Sequence, residues 1–221
     1  MRLLLYSHVV HKLVNGQTYA YGPYVREMNL WLQEFDSVTI VAPSIKSNEI
    51  DPIDELFECN KIDHIKLISF STKGFSAIFK SFIFVLFNAL LVFFSMFLPG
   101  HVHVRCPGNI GLLACLVQLF FPWKRKSFKY AGNWIDNKGQ PISYRIQKWI
   151  ISNCWLTRKS MALVYGKKPS DKGCVTNAFT ATYSEKDKLQ ISIRSLISSE
   201  PIKLVFAGAL IPGKNPLVAV E

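Results

Sequence analysis

The sequence predicts an α/β fold, a Rossmann-like doubly wound parallel sheet, and three observations carry that expectation. Leu3-Leu-Leu-Tyr6 is a continuous apolar run, the kind that suits a strand buried on both faces in a parallel sheet. Strand-like and helix-like segments then alternate at short spacing as far as residue 165. Prolines and glycines punctuate their ends, at Pro43, Pro107-Gly108, Gly132 and Gly166.

The elements follow in order. After the first strand, Ser7 to Gly22 reads as a loop carrying Asn15-Gly16 and Gly22-Pro23. Pro23 opens a helix that sets Tyr24, Met28, Trp31 and Phe35 on one face. Ser37 to Ala42 is a second strand, stopped by Pro43, and the acidic stretch 44–64 reads as loop with a short helix. Ile65 to Phe70 is a third strand, 75–98 a long apolar segment, and His101 to Arg105 a fourth strand. Asn109 is expected to cap a helix reaching Phe120. A fifth strand, Ser127 to Ala131, ends at Gly132; a helix covers Ile142 to Leu156; a sixth strand is Met161 to Tyr165. Residues 174–183 form a last extended piece, and 184–201 a helix plus linker.

The final twenty residues open something new. Lys203 to Ala207 is a short apolar strand, Gly208 to Lys214 a loop, and Asn215-Pro216 a helix start. One helical turn offers little to bury and too few hydrogen bonds to offset nucleation. The expected organisation is a domain over 1–190, a linker over 191–201, and over 202–221 the first βα unit of a second domain truncated after its first strand.

The chain has 26 Lys+Arg against 15 Asp+Glu, a net charge of +11 that attracts anions. No RNP, zinc-finger or helix-turn-helix pattern accompanies it, so nucleic acid is not an expected partner. An anionic membrane surface and a phosphate-bearing substrate remain. Five cysteines, at 59, 106, 115, 154 and 174, are odd in number and lack C-x-x-C spacing, which argues against both a disulfide framework and a zinc site. They are expected to be small buried hydrophobes in a reducing cytosol. Residues 81–100 carry no charge, enough length for a bilayer. A true span would put strands one to three and four to six on opposite sides, so a buried helix comes first, one dipping into the membrane surface second and a true span last, with Ser81, Asn88 and Ser95 facing protein.

No G-x-G-x-x-G, Walker A, G-x-S-x-G or H-E-x-x-H motif is present. Candidate chemistry therefore sits in loops at the carboxyl ends of strands. Asn15-Gly16 through Gly22-Pro23 could bring backbone amides to a phosphate, or be an ordinary glycine turn. Alternation puts His101, His103 and Arg105 on one face, as structural histidines or, less readily, a metal site without a carboxylate. Asn109 follows them. Asn133 and Trp134 suit sugar hydroxyls and ring C–H groups, though Trp134 could equally anchor the core. Gly213-Lys214 before a helix suits a diphosphate.

Taken together these residues resemble the GT-B glycosyltransferases, within them glycosyltransferase family 4. The most specific stretch is Leu204-Val-Phe-Ala-Gly-Ala-Leu-Ile-Pro-Gly-Lys-Asn-Pro, similar to the family's opening of its C-terminal domain. The family's glycine and lysine match Gly208 and Lys214, and its arginine position holds Ala209. Gly22 is similar to the glycine at the start of the family's first helix, and 103–113 to the strand and helix lining the acceptor cleft. Where many members end a strand in histidine, this chain has Gly132-Asn133. The resemblance implies a GT-B N-terminal domain and a retaining, metal-free transfer of sugar from a nucleotide sugar to a glycan or lipid-linked acceptor in surface polysaccharide synthesis. It implies donor phosphates at Gly22 and Lys214 and an acceptor cleft along 103–113, with His103, Arg105 and Asn109; the loop residues Asn15, Gly16, Asn133 and Trp134 are expected to join that cleft. No cofactor is implied. The glutamate pair that holds the family's donor sugar would lie beyond residue 221, so the chain by itself is expected to be inactive. The setting implied is cytoplasmic, peripheral on the inner face of the cell membrane. The other reading kept is a non-enzymatic Rossmann-like module that binds a phosphate ligand, a partner protein or a membrane surface.

Overall fold

The computed structural model describes residues 1–68, 75–134, 140–165 and 173–178, with backbone alone for 75–82 and Asn133. All of these fall within one compact unit, Met1–Thr182. The predicted segment 202–221, with Lys214, lies outside the described residues.

Seven strands form a parallel sheet: β1 (Arg2–Tyr6), β4 (Ser37–Lys46), β6 (Ile62–Leu67), β7 (His101–Cys106), β8 (Lys126–Asn133), β9 (Ser160–Tyr165) and β10 (Val175–Asn177). Their spatial order is β6-β4-β1-β7-β8-β9-β10. The chain builds outward from β1 to one edge, then returns and builds to the other. That is the doubly wound order, with its reversal between β1 and β7. The expected neighbours pair in register, Leu3 with Val38 and Tyr6 with Val41.

The period of two divides the sheet into two cores. Leu3, Leu5, Val38, Ile40 and Ala42 pack against Tyr24, Val25, Met28 and Leu32 of α1 (Gly22–Leu32). Leu4, Tyr6, Val102, Val104, Phe128 and Tyr130 lie in the other core with Val92, Ala114 and Ile150, from α2 (Phe75–Ser95), α3 (Asn109–Val117) and α4 (Ile142–Ile151). Burying a side chain of this size contributes about 1.5–3 kcal/mol.

Several expectations are corrected. The loop over 7–22 contains a hairpin, β2 (His11–Val14) and β3 (Gln17–Tyr21), and β5 (Asp54–Leu56) pairs with β3. No helix forms in 44–64. Pro43 does not stop its strand. Pairing of β4 passes from β1, ending at Tyr6 with Val41, to β2, starting at His11 with Ser44, and Pro43 falls in the gap. The third strand begins at Ile62, and β8 runs past Gly132. Asn109 is the first residue of α3 rather than its cap; Gly108 holds the cap position. The helix from Ile142 stops at Ile151. Cys154 and Cys174 form a disulfide, with Cα atoms 5.5 Å apart. Their proximity comes from β9 and β10, where Ala162 N donates to Cys174 O. Spacing of 20 residues in sequence gives no sign of it. Cysteine usage therefore lends no support to a reducing compartment.

Among the described residues no helix is long and apolar enough to cross a membrane. Asn88 and Ser95 face protein, as expected. Asn88 bonds both the N–H and the carbonyl of Ile68, and Ser95 Oγ lies 2.9 Å from the Tyr6 hydroxyl. The Ser81 side chain lies outside the described residues.

Candidate functional site

The sheet order reverses between β1 and β7, and a crevice of about 300 Å³ opens at their carboxyl ends. Ser7 turns the chain there: its Oγ accepts from the Val9 N–H, which sets His8 over the opening. Pro43 and Ile68 supply an apolar wall from the ends of β4 and β6, and Pro107 to Ile110 a second wall. Tyr144 of α4 closes the third side.

The β7–α3 connection is tight for identifiable reasons. A Cβ on Gly108 would lie 2.6 Å from His8 Nδ1, so only glycine lets the histidine ring sit there. A Cβ on Gly111 would lie 2.6 Å from the Arg105 carbonyl, so the first turn of α3 rests directly on β7. Gly108 N donates to Gln147 Oε1, a buried amide from α4. No side chain caps the α3 N-terminus. Its first amides and positive dipole end therefore border the crevice, a setting that favours an oxygen-rich or anionic group.

His8 keeps exposed surface, yet desolvation first, and the Arg105 charge second, lower its pKa below the ordinary 6.5. It is neutral at pH 7, with a ring able to accept a proton or hydrogen bond. The Asn109 amide and the Tyr144 hydroxyl complete a set of donors and acceptors fit for hydroxyl-rich ligands.

The predicted site residues divide. Asn109 lines the crevice. His103 and Arg105 do not: they lie beneath α1, and their assignment to an open cleft is corrected. His103 is fully buried, with the Trp31 ring tilted against it at 4.5 Å between centroids. Its Nδ1 and His101 Nε2 each lie 2.8 Å from Ser127 Oγ. Burial first, then the charges of His101, Arg105 and Lys129, push its pKa down to about 3. Arg105 and the buried Lys129 both pair with Glu27, at 3.0 and 3.1 Å. Tyr24 lies beneath the guanidinium, and the Tyr165 ring lies 4.3 Å from the ammonium. These histidines are structural, and among the described residues no cluster could hold a metal ion.

Asn15 and Gly16 form the tip of the β2–β3 hairpin, both at positive φ (49° and 79°), as a two-residue hairpin turn requires. They line a separate, open hollow of about 1100 Å³ with Lys46, Asn48 and Glu58, and not the crevice. The Gly22 amide donates to the Ile53 carbonyl at 2.8 Å, and a Cβ there would lie 2.6 Å from that oxygen. The close approach that requires this glycine is to its own chain. Trp134 is buried, edge-on to Tyr130 at 5.3 Å, and its carbonyl accepts from Lys148 Nζ. It anchors the core and offers no open face. Asn133 ends β8 beside an irregularity in pairing with β9, and its side chain lies outside the described residues. Sequence reasoning missed His8, Gly108 and Tyr144. The available signal was position: the residues directly after β1 and β7 flank the reversal point.

No family model matches the chain, and no curated protein matches it. Among solved structures, one of UDP-N-acetylglucosamine 2-epimerase is similar with a TM-score of 0.42 and 12% identity. The match covers 74% of this chain and 41% of that one, so this chain spans less than half the length of that neighbour. A likeness of this extent assigns no function.

Proposed function

We propose that the chain is the acceptor-side domain of a GT-B glycosyltransferase, which passes a sugar from a nucleotide-sugar donor to a glycan or lipid-linked acceptor in surface polysaccharide synthesis. The observation that carries this is the crevice at the β1–β7 reversal, with neutral His8, Asn109, Tyr144 and an uncapped helix N-terminus around it. Ligands of doubly wound sheets bind at that place. The acceptor hydroxyls bond to Asn109 and Tyr144, and His8 accepts the hydrogen of the hydroxyl nearest it. The donor diphosphate is held by Lys214, with no metal.

Methyl glycosides of hexoses and N-acetylhexosamines, titrated into the protein, should shift the His8 ring signals in NMR spectra. Asn109→Ala and Tyr144→Phe should each weaken that binding about fivefold, the share of one hydrogen bond of about 1 kcal/mol. No glycoside shifting His8 up to high millimolar concentration would sink the acceptor reading. On the donor side, Lys214→Ala should weaken UDP or GDP binding by about 1.5–3 kcal/mol, as for a charge-assisted contact to phosphate. Equal affinity by calorimetry would leave Lys214 a turn residue.

A further inference from the structure

We infer that a hollow at the amino ends of β7, β8 and β9 is a binding site for a phosphate group, free or carried on a small ester, an inference independent of the sugar chemistry proposed above. His101, Lys126 and Ser160 are the first residues of those strands, and all three line the hollow. Arg125 and Lys159 line it as well, and the Cys154–Cys174 disulfide forms part of its wall. Its volume is about 600 Å³. The crevice opens at the carboxyl ends of the strands, so the two sites lie at opposite ends of the sheet.

The connection from α4 to β9 gathers the cations here. The Ser160 hydroxyl donates to the Thr157 carbonyl at 2.6 Å, closing a turn that holds Lys159 at φ 54°. That is left-handed backbone, which a lysine enters only at a cost. The same turn presents two carbonyls to Lys126. The Lys126 N–H donates to the Lys159 carbonyl, and Lys126 Nζ donates to the Arg158 carbonyl, both at 3.0 Å. Lys126 is 2% exposed, and the Arg158 carbonyl takes one of its three ammonium protons.

Charge selects the ligand. Burial first, then the Lys159 charge, push the Lys126 pKa down to about 8. Burial first, then the Arg125 charge, lower that of His101. Each of these groups therefore meets another cation nearby. Among the described residues none of Arg125, Lys126 and Lys159 forms an ion pair. A buried ammonium without counter-charge is costly, and an anion in the hollow offsets that cost. Three cations around one opening suit a compact dianion with several acceptor oxygens, since a single carboxylate reaches fewer of them. The hollow is larger than a phosphate ion, which leaves room for an organic group against Met161 and the disulfide.

Inorganic phosphate, titrated into the whole protein, should shift the His101 ring signals in NMR spectra; the crevice reports separately through His8. A hexose 6-phosphate and a nucleoside 5′-monophosphate distinguish the sources. Tighter binding of either ester points to a carried phosphate, and equal or weaker binding to the free ion. Lys126→Met should weaken phosphate about tenfold or more, as for a charge-assisted contact removed from water. Its urea midpoint will show whether the fold is intact. Two surface variants test the site without that concern. Lys159→Gly, which keeps the left-handed turn, and Arg125→Gln should each weaken binding about threefold, the smaller share of an exposed cation. Lys46→Gln removes an equally exposed charge at the carboxyl end of β4 and should change nothing. No shift of His101 up to high millimolar phosphate, or losses at Lys126, Lys159 and Arg125 no larger than at Lys46, would overturn the inference.

Discussion

Residues 1–68 and 75–165 contribute to the same sheet, but they carry charge in opposite ways. The first region has nine acids and six Lys+Arg, and its charges meet locally. Arg2 pairs with Asp63, Lys12 with Asp51 and Asp54, and Arg26 with Glu55. The second region has almost no acid of its own. Its described ion pairs, those of Arg105 and Lys129, both end on Glu27 of the first region. The difference teaches how each region balances its charge. The first neutralises its charges locally, whereas the described ion pairs of the second depend on a carboxylate that the first supplies, and its buried Lys126 and Lys148 rest on backbone carbonyls. It also makes Glu27 the carboxylate that joins the two regions beneath α1.

The comparison breaks most sharply at that residue. Glu27→Ala leaves Lys129, 2% exposed, and Arg105, 14% exposed, buried without their counter-charge. Removing one partner of a buried pair costs about 3–5 kcal/mol. Urea unfolding should show a loss of that size. A loss under about 1 kcal/mol would mean that water already solvates both cations and that the regions are not coupled there.

Next in size is the response to acid. His11 in the first region and His103 in the second both have pKa values lowered to about 3 by burial. In the unfolded chain both return to the ordinary 6.5. Between those values the unfolded state binds protons that the native state does not. Stability is therefore full above pH 6.5 and falls as pH drops through that window, by about 1.4 kcal/mol per unit for each histidine. His103→Gln should remove the share of that slope owed to the second region. A flat profile from pH 7 to 5 would show that both rings protonate in place.

Much of this arrangement was legible in residues 1–6, 37–41 and 101–106, where apolar runs and alternation fix strands and their faces. Alternation correctly grouped His101, His103 and Arg105, but it could not say what would cover them. Trp31 does, and that turns an apparent cleft into core. Asn15-Gly16 was visible as a turn, yet the flanking strands are so short that the hairpin needed β4 and β5 to be recognised. The crevice was hidden for a different reason. His8, Gly108 and Tyr144 are far apart in sequence and meet only because the sheet reverses between β1 and β7. The Cys154–Cys174 bond likewise depends on the pairing of β9 with β10.

The crevice itself gives a smaller test, confined to the line where the two regions touch. Gly108→Ala would place a methyl group at 2.6 Å from His8 Nδ1, forcing the ring outward. The exposed ring can swing away, so the expected cost is under about 1 kcal/mol, and the His8 pKa should rise towards 6.5 as the ring regains water. An unchanged titration would mean that the ring does not rest on Gly108.

The smallest effect belongs to the surface pairs of the first region. Arg26 and Glu55 lie at the N-terminal end of α1 and on β5, with about half and more than a third of their side-chain surface exposed. Such pairs contribute about 0.2–1 kcal/mol, since water competes for both groups and ordering two side chains costs entropy. A double-mutant cycle of Arg26→Ala and Glu55→Ala should give a coupling in that range, reduced by salt. The same cycle between Arg105 and Glu27 should give a coupling several times larger, barely altered by salt, because both groups there are removed from water. If the two couplings were equal and equally screened, position in the fold would not distinguish the charges of the two regions, and the contrast between exposed local pairs and a buried carboxylate shared across regions would lose its physical basis.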